Sequence, residues 1–232
     1  MNGLDEEGSM NAKLTDRCLT PDYLIFKPRG STLDFIDEHP RDKRRIFITH
    51  FPFNLLPPDL LDKAKVVFVG RNPKDAVVSW FHYMKNTRHY FGYDGDLEQL
   101  ADLYMKGQTS YGDYWHTLNQ AWSLRYHPNL KFMWFEDMKK DLVPVIKDLC
   151  YFLTCPLSSE KIETLNTWMQ IDNVRRRYVA SAENDLEREF RAKFIRKGKV
   201  GDWRNHFSED LNKRFDEWIE KNNTMKIPFQ FQ

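Results

Sequence analysis

Apolar positions along this chain gather into short continuous runs separated by longer segments with a helical period. Lys65–Arg71 (KVVFVGR) is an unbroken, β-branched run of strand length, the pattern of a parallel strand covered on both faces. Arg45–His50 (RIFITH) has similar character, and Pro52, Pro57 and Pro58 behind it predict a loop after a strand ending at His50. A third run, Leu130–Phe135, follows the break His127-Pro128-Asn129.

Between these runs the spacing predicts helices. Asn72 can cap a helix with Pro73 in its first turn, and the stretch to Asn86 is apolar almost all round, which predicts burial. Helical stretches are expected over Tyr111–Arg125, Pro144–Leu153 and Glu160–Trp168. A last helix starts at the capping Ser208, with Glu209 and Asp210 in its first turn and Leu211, Phe215, Trp218 and Ile219 on one face. Arg175–Gly201 reads as an irregular basic stretch. Alternating strands and helices argue for an α/β fold, a three-layer parallel sheet flanked by helices. Residues 1–30 mix Gly, Pro, Asn and charge without a period and are expected to be loosely structured, leaving residues 31–232 as one domain.

With 232 residues and 41% apolar content the chain can bury one sizeable core. A formal charge of +1 supplies no global basic field, so any anion site is local and nucleic-acid binding is not expected. Cys18, Cys150 and Cys155 are odd in number and fit reduced thiols in the cytoplasm. The acidic start MNGLDEEGSM lacks the apolar core of a signal or transit peptide. The apolar runs fall far short of the ~20 residues of a membrane helix, so no membrane partner is expected.

Three places can carry chemistry. Arg71 closes a strand where ligands bind open parallel sheets, and Ser79 returns to the face of Asn72 two helical turns later. Together they suit a phosphate, although on spacing alone an Arg paired with a carboxylate and a Ser bonded to its own helix is the more ordinary reading. Arg175–Lys199 holds nine basic and four acidic residues. Its end, Phe194-Ile-Arg-Lys-Gly-Lys-Val-Gly-Asp-Trp203, sets cations beside glycines that let backbone approach an anion. A solvated surface is the alternative. His50, at a strand end, is a natural general base for an alcohol or phenol, or a structural histidine. The histidines show no metal-ligand spacing, so no metal is expected.

From about Ser31 onward these segments resemble the cytosolic sulfotransferases, which transfer a sulfuryl group from 3′-phosphoadenosine 5′-phosphosulfate (PAPS) to a hydroxyl or amine. Arg196-Lys197-Gly198 with Gly201-Asp202-Trp203 is similar to the family's RKGxxGDW, and Arg71 through Ser79 (RNPKDAVVS) to its CRNxKDxxVS. The resemblance implies that Arg71, Ser79, Arg196, Lys197 and Gly198 hold the 3′-phosphate. Thr49 through Pro57 (THFPFNLLP) resembles KTHLPxxLLP, which implies His50 as the catalytic base. Asn166-Thr167-Trp168 falls where the family has Thr-Ser-Phe, which implies Thr167 and Trp168 as adenine-side contacts, Trp168 by stacking.

The resemblance further implies a P-loop-NTPase-like fold, a small, apolar acceptor (phenol, alcohol or amine) and a homodimer. The aromatic residues Phe51, Phe53, Trp80, Phe81 and Tyr83 can form the acceptor pocket or core. Departures from the family pattern are Ile48 for a Lys, Phe135 for a Tyr, and Arg204–Lys213 in place of the KxxxTVxxxE pairing segment. No Gly-rich Lys-Ser/Thr loop occurs in the chain, and the family's YPKSGTTW loop is expected upstream of Met1. The expectation is an N-terminally truncated member, with nucleotide or protein binding without turnover as the alternative.

Overall fold

The computed structural model describes residues 45–88 and 92–230. The expectations for residues 1–30 and Cys18 lie outside them. In chain order the elements are α1 (Leu60–Lys63), β1 (Val66–Gly70), α2 (Pro73–Asn86), α3 (Leu97–Met105), α4 (Tyr114–Ser123) and β2 (Leu130–Trp134). Then follow α5 (Phe135–Lys140), α6 (Leu142–Phe152), α7 (Ser159–Trp168), α8 (Ile171–Ala180), α9 (Asp185–Phe194) and α10 (Glu209–Asn222). Short 3₁₀ turns lie at Phe53–Leu55 and Asp202–Asn205.

Among the described residues the sheet is the parallel pair β1 and β2, registered from Val66 opposite Leu130 to Gly70 opposite Trp134. Parallel neighbours need a long crossover, and α2, α3 and α4 supply it. One sheet face, carrying Phe68, Phe132 and Trp134, packs against Val77 and Val78 of α2, Ala101 and Tyr104 of α3, Trp115 and Leu118 of α4, and Leu211, Phe215 and Ile219 of α10. On the other face Lys131 pairs with Asp148 of α6. Gly70 lets the sheet close tightly, because a Cβ there would meet Trp134 Cζ3 at 2.8 Å.

The helix starts follow their capping residues. Asn72 accepts the Asp75 N–H at 2.8 Å, Asp113 that of His116 at 2.6 Å, and Ser208 that of Leu211 at 3.1 Å. Asp96 and Gln99 form a reciprocal capping box at the start of α3.

Two local expectations differ from the structure. Arg45–His50 is not a ladder strand: only Phe47 forms a bridge, and Ile46 and Phe47 stay about half exposed. The basic stretch is not irregular, since α8 and α9 occupy most of it. Their apolar seam is Tyr178, Phe190 and Phe194, and the Arg191 guanidinium is satisfied by Glu187 at 2.6 Å and by Tyr178 O at 3.0 Å. Charge counting hid a seam with helical spacing.

Candidate functional site

Arg71 leaves β1 at its carboxyl end, where two contacts to it and a pair of bonds to Asn72 fix the turn. The Tyr114 hydroxyl donates to Arg71 O at 2.7 Å. The Phe135 ring lies against the guanidinium, 4.4 Å from centroid to Cζ. Glu136 Oε1 accepts both the backbone N–H of Asn72 at 2.9 Å and its side-chain amide at 3.2 Å, locking the ends of β1 and β2 together.

The guanidinium itself is under-satisfied. Nη2 donates to Lys199 O at 3.4 Å, and Nε is buried with no partner among the described residues. Burial lowers the Arg71 pKa, against the attraction of Asp75 and Glu136. The alternative of an Arg closed by a carboxylate is not what the geometry shows, because no ion pair of Arg71 within 4.0 Å appears among the described residues.

The Arg196–Trp203 segment is tied to the same place through Asp75. One Asp75 oxygen accepts the Gly201 N–H at 2.6 Å, and the other accepts the Trp203 N–H at 3.0 Å. Gly201 has φ +77°, a left-handed conformation that turns the chain back toward α2. Asp202 then gathers two cations, Arg196 Nη2 at 2.7 Å and Lys197 Nζ at 3.0 Å, and accepts the Asn205 side-chain amide at 3.0 Å. Burial would raise its pKa, but the bonds from Lys197, Asn205 and Arg196 outweigh that and hold the carboxyl far below the usual range. Gly198 has φ +59°, and a Cβ there would press on Ile171 Cδ1 at 3.0 Å.

The structure thus brings Arg71, Arg196, Lys197 and Gly198 to one end of the sheet. Ser79 is exposed on α2, two turns from the cap. Thr167 and Trp168 end α7 beside a shallow groove that Glu160, Glu163 and Thr164 complete. They reach the cationic segment through α8 and make no direct contact with it in the bonds described: Asn173 donates to Thr167 O at 2.7 Å, Arg177 to Trp168 O at 2.6 Å, and Arg175 Nε to Ile195 O at 2.9 Å.

His50 stacks on Tyr111, centroids 4.5 Å apart. The loop behind it is held by Asn54, which meets His116 Nε2 at 3.0 Å and the Gln120 amide at 3.1 Å. Tyr111 and Tyr114 therefore relate His50 and Arg71 to the same end of α4. Of the aromatic candidates, Trp80 and Phe81 pack against the core and Tyr83 against Phe194. Sequence reasoning passed over Asp75, Asp202, His82 and His206. Asp75 and Asp202 lie inside the two motifs quoted for the 3′-phosphate, but an acidic residue in a helix's first turn reads as dipole complement and a single acid vanishes in a net-positive stretch, so neither was given a role of its own.

Comparison with known proteins assigns the α/β domain to a class. Residues 22–226 match the family model for the sulfotransferase domain, and the chain belongs to that family. Sulfotransferase 1A1 of Rattus norvegicus is 31% identical over 209 residues, 87% of this chain and 70% of that protein. Amine sulfotransferase of Oryctolagus cuniculus is 32% identical over 188 residues, 78% and 62% of the two chains. Luciferin sulfotransferase of Photinus pyralis is 27% identical over 222 residues, 90% and 57%. The chain thus spans about three-fifths of the length of the last two. A retinol dehydratase in complex with androsterone and inactive cofactor PAP shares the fold, with TM-score 0.83 and 24% identity over 95% of this chain and 73% of that one. A mouse sulfotransferase complexed with PAP gives TM-score 0.73 and 25% identity over 83% and 69%. No helix among the described residues is long and apolar enough to cross a membrane.

Proposed function

We propose that this chain carries the nucleotide-binding and base-bearing part of a PAPS-dependent sulfotransferase acting on the hydroxyl or amine of a small apolar acceptor. One observation carries the reading: a guanidinium whose Nε is buried with no partner among the described residues stands near a second cationic segment that Asp75 pins in place. A largely buried guanidinium with no ion pair within 4.0 Å among the described residues is costly, and a phosphate would satisfy it. The PAP in the complexes of two relatives supports a 3′-phosphoadenosine nucleotide as that anion.

In this reading Arg71 faces the 3′-phosphate from the end of β1 and Ser79 from α2, while Arg196, Lys197 and the backbone at Gly198 close over it. Thr167 and Trp168 flank the adenine. His50 accepts the acceptor's proton as the new O–S or N–S bond forms and the bond to the nucleotide phosphate breaks, releasing PAP. The gain comes from positioning and charge neutralisation, since sulfuryl transfer, like phosphoryl transfer, asks little covalent help of the protein. Residues 31–232 act as one domain, in a cytoplasmic protein; a homodimer is the assembly the family suggests, although Arg204–Lys213 departs from the family's pairing motif.

A second reading, nucleotide binding without turnover, is favoured by Ile48 and Phe135, which stand where the family has a Lys and a Tyr. Transfer of labelled sulfate from PAPS to a simple phenol separates the two. Turnover that falls about 10²-fold or more in His50→Ala supports the first. PAP binding without turnover supports the second, and turnover unchanged by His50→Ala removes His50 as base.

A further inference from the structure

Beside the residues assigned above, a histidine pair backs the same wall. His82 lies on α2 three residues beyond Ser79, one helical turn along the same face. Its ring meets His206 edge to face, centroids 5.3 Å apart at 75°. His206 Nε2 in turn lies 3.2 Å from Oδ2 of Asp202, the carboxylate that holds Arg196 and Lys197. His82 Nε2 is buried and has no partner among the described residues.

A buried nitrogen without a partner is destabilising, so its presence beside a binding wall calls for a use. Burial, together with Arg196, His206 and Lys197, lowers the His82 pKa to about 4, and Asp202 acts the other way. Charged groups on the other packed elements are engaged elsewhere. Arg191 of α9 is held by Glu187 and Ser181, Asp102 of α3 by Arg214, and Glu98 of α3 by Ser208. Lys85, on its own helix, donates to Asp94 O at 3.1 Å. Of the groups that oppose a proton on His82, Arg196 and Lys197 are the ones assigned to the phosphate.

Resting on the nucleotide reading above, we infer that His82 is a positioning residue whose proton is coupled to the bound anion. While neutral, it backs His206 and Asp202 and so keeps Arg196 and Lys197 aimed. When a phosphate dianion sits against those cations, their repulsion of a proton on His82 is offset and the ring is protonated more readily. Linkage is reciprocal, so protonation of His82 tightens anion binding by the same factor that the anion favours the proton.

Histidine side-chain NMR of the 232-residue chain tests this, with PAP as the probe. The expected result is that the His82 midpoint rises by about one pH unit or more at saturating PAP, a tenfold change in proton affinity. Calorimetry in buffers of different ionisation enthalpy is expected to show proton uptake near about pH 5 that His82→Asn abolishes. The nucleotide's own titration is common to both proteins and cancels in their difference. A merely structural His82 would weaken binding at every pH when substituted and leave proton uptake unmoved. Saturable PAP binding with an unshifted His82 midpoint overturns this inference alone, and it does so even where the variant fails to fold. Absence of PAP binding overturns the nucleotide reading and this inference with it.

Discussion

Asp75, in the first turn of α2, accepts the backbone N–H of Gly201 at 2.6 Å across 126 positions of sequence. Its second oxygen takes Trp203 N–H at 3.0 Å, and the residue is only 1% exposed. A carboxylate satisfied by two buried amides and its own cap is a strong cross-link, because charge-assisted bonds in a dry setting are the strong kind. It decides where the Arg196–Gly198 segment sits relative to Arg71, although it belongs to neither cationic cluster.

Asp75→Ala would leave both amides without an acceptor and is expected to cost ~2–4 kcal/mol of stability, read as a fall in the urea midpoint. Asp75→Asn keeps one acceptor but turns an amide NH₂ toward a donor, and is expected to lose part of that amount. PAP affinity should fall in both variants even where they remain folded at the assay temperature. An Asp75→Ala protein of unaltered stability would show that the cross-link does not hold the segment.

Arg71 and Phe135 make a second test. The ring under the guanidinium is where the family pattern has a Tyr, and its face serves the cation whether or not a hydroxyl is attached. Phe135→Tyr is expected to leave PAP affinity near the parent value, and Phe135→Leu to weaken it several-fold. Arg71→Lys should cost ~10-fold or more, because an ammonium has neither the planar fork nor the stacking face. Calorimetric titration of PAP into each variant reads all three, and Arg71→Lys with parental affinity would contradict the assignment.

How far these contacts could be read in advance depended on their span. The strand Lys65–Arg71 and the helix capped by Asn72 were legible because an apolar run and a cap are local signals. The tie between Asp75 and Gly201 was not, since nothing at either position specifies its distant partner. The pair α8 and α9 was missed for another reason: nine basic side chains in Arg175–Lys199 masked the seam of Tyr178, Phe190 and Phe194. For Arg45–His50 the error ran the other way. A β-branched run has strand propensity, but a strand needs a neighbour, and among the described residues only Phe47 has a bridge.

Asp202 makes acid stability testable. Its folded carboxyl is held below the ordinary value of about 3.9, so the folded state binds its proton less readily than the unfolded chain. The contribution is fully present above the unfolded value and is lost as pH falls from about 5 through the acid range. Asp202→Asn removes it. The melting temperatures of parent and variant are therefore expected to differ most near neutral pH and to converge toward about pH 2. A gap that stays constant across this range would mean that the carboxylate's charge contributes nothing.

Gly70 is the last residue before Arg71, and the room it leaves is taken by aromatic rings. A Cβ there would lie 2.8 Å from Trp134 Cζ3, too short to persist, and 3.0 Å from Phe132 Cζ, which would have to give by a few tenths of an ångström. Neither ring can simply swing away. Trp134 packs against Trp122 and Phe229 at 6.2 and 5.5 Å between centroids, and Phe132 against Trp122 at 5.1 Å. Gly70→Ala is therefore expected to cost ~1–3 kcal/mol through overpacking, although a strand otherwise favours Ala over Gly. The displaced ring belongs to the residue before Phe135, so the strain should reach the Arg71 platform and weaken PAP binding as well. Trp134→Leu supplies the control, because a shorter side chain makes room for the methyl. The double variant should lose less stability than the sum of the two single ones, with a coupling of ~0.5–3 kcal/mol. Strict additivity in urea unfolding would place the source of the strain somewhere other than this contact.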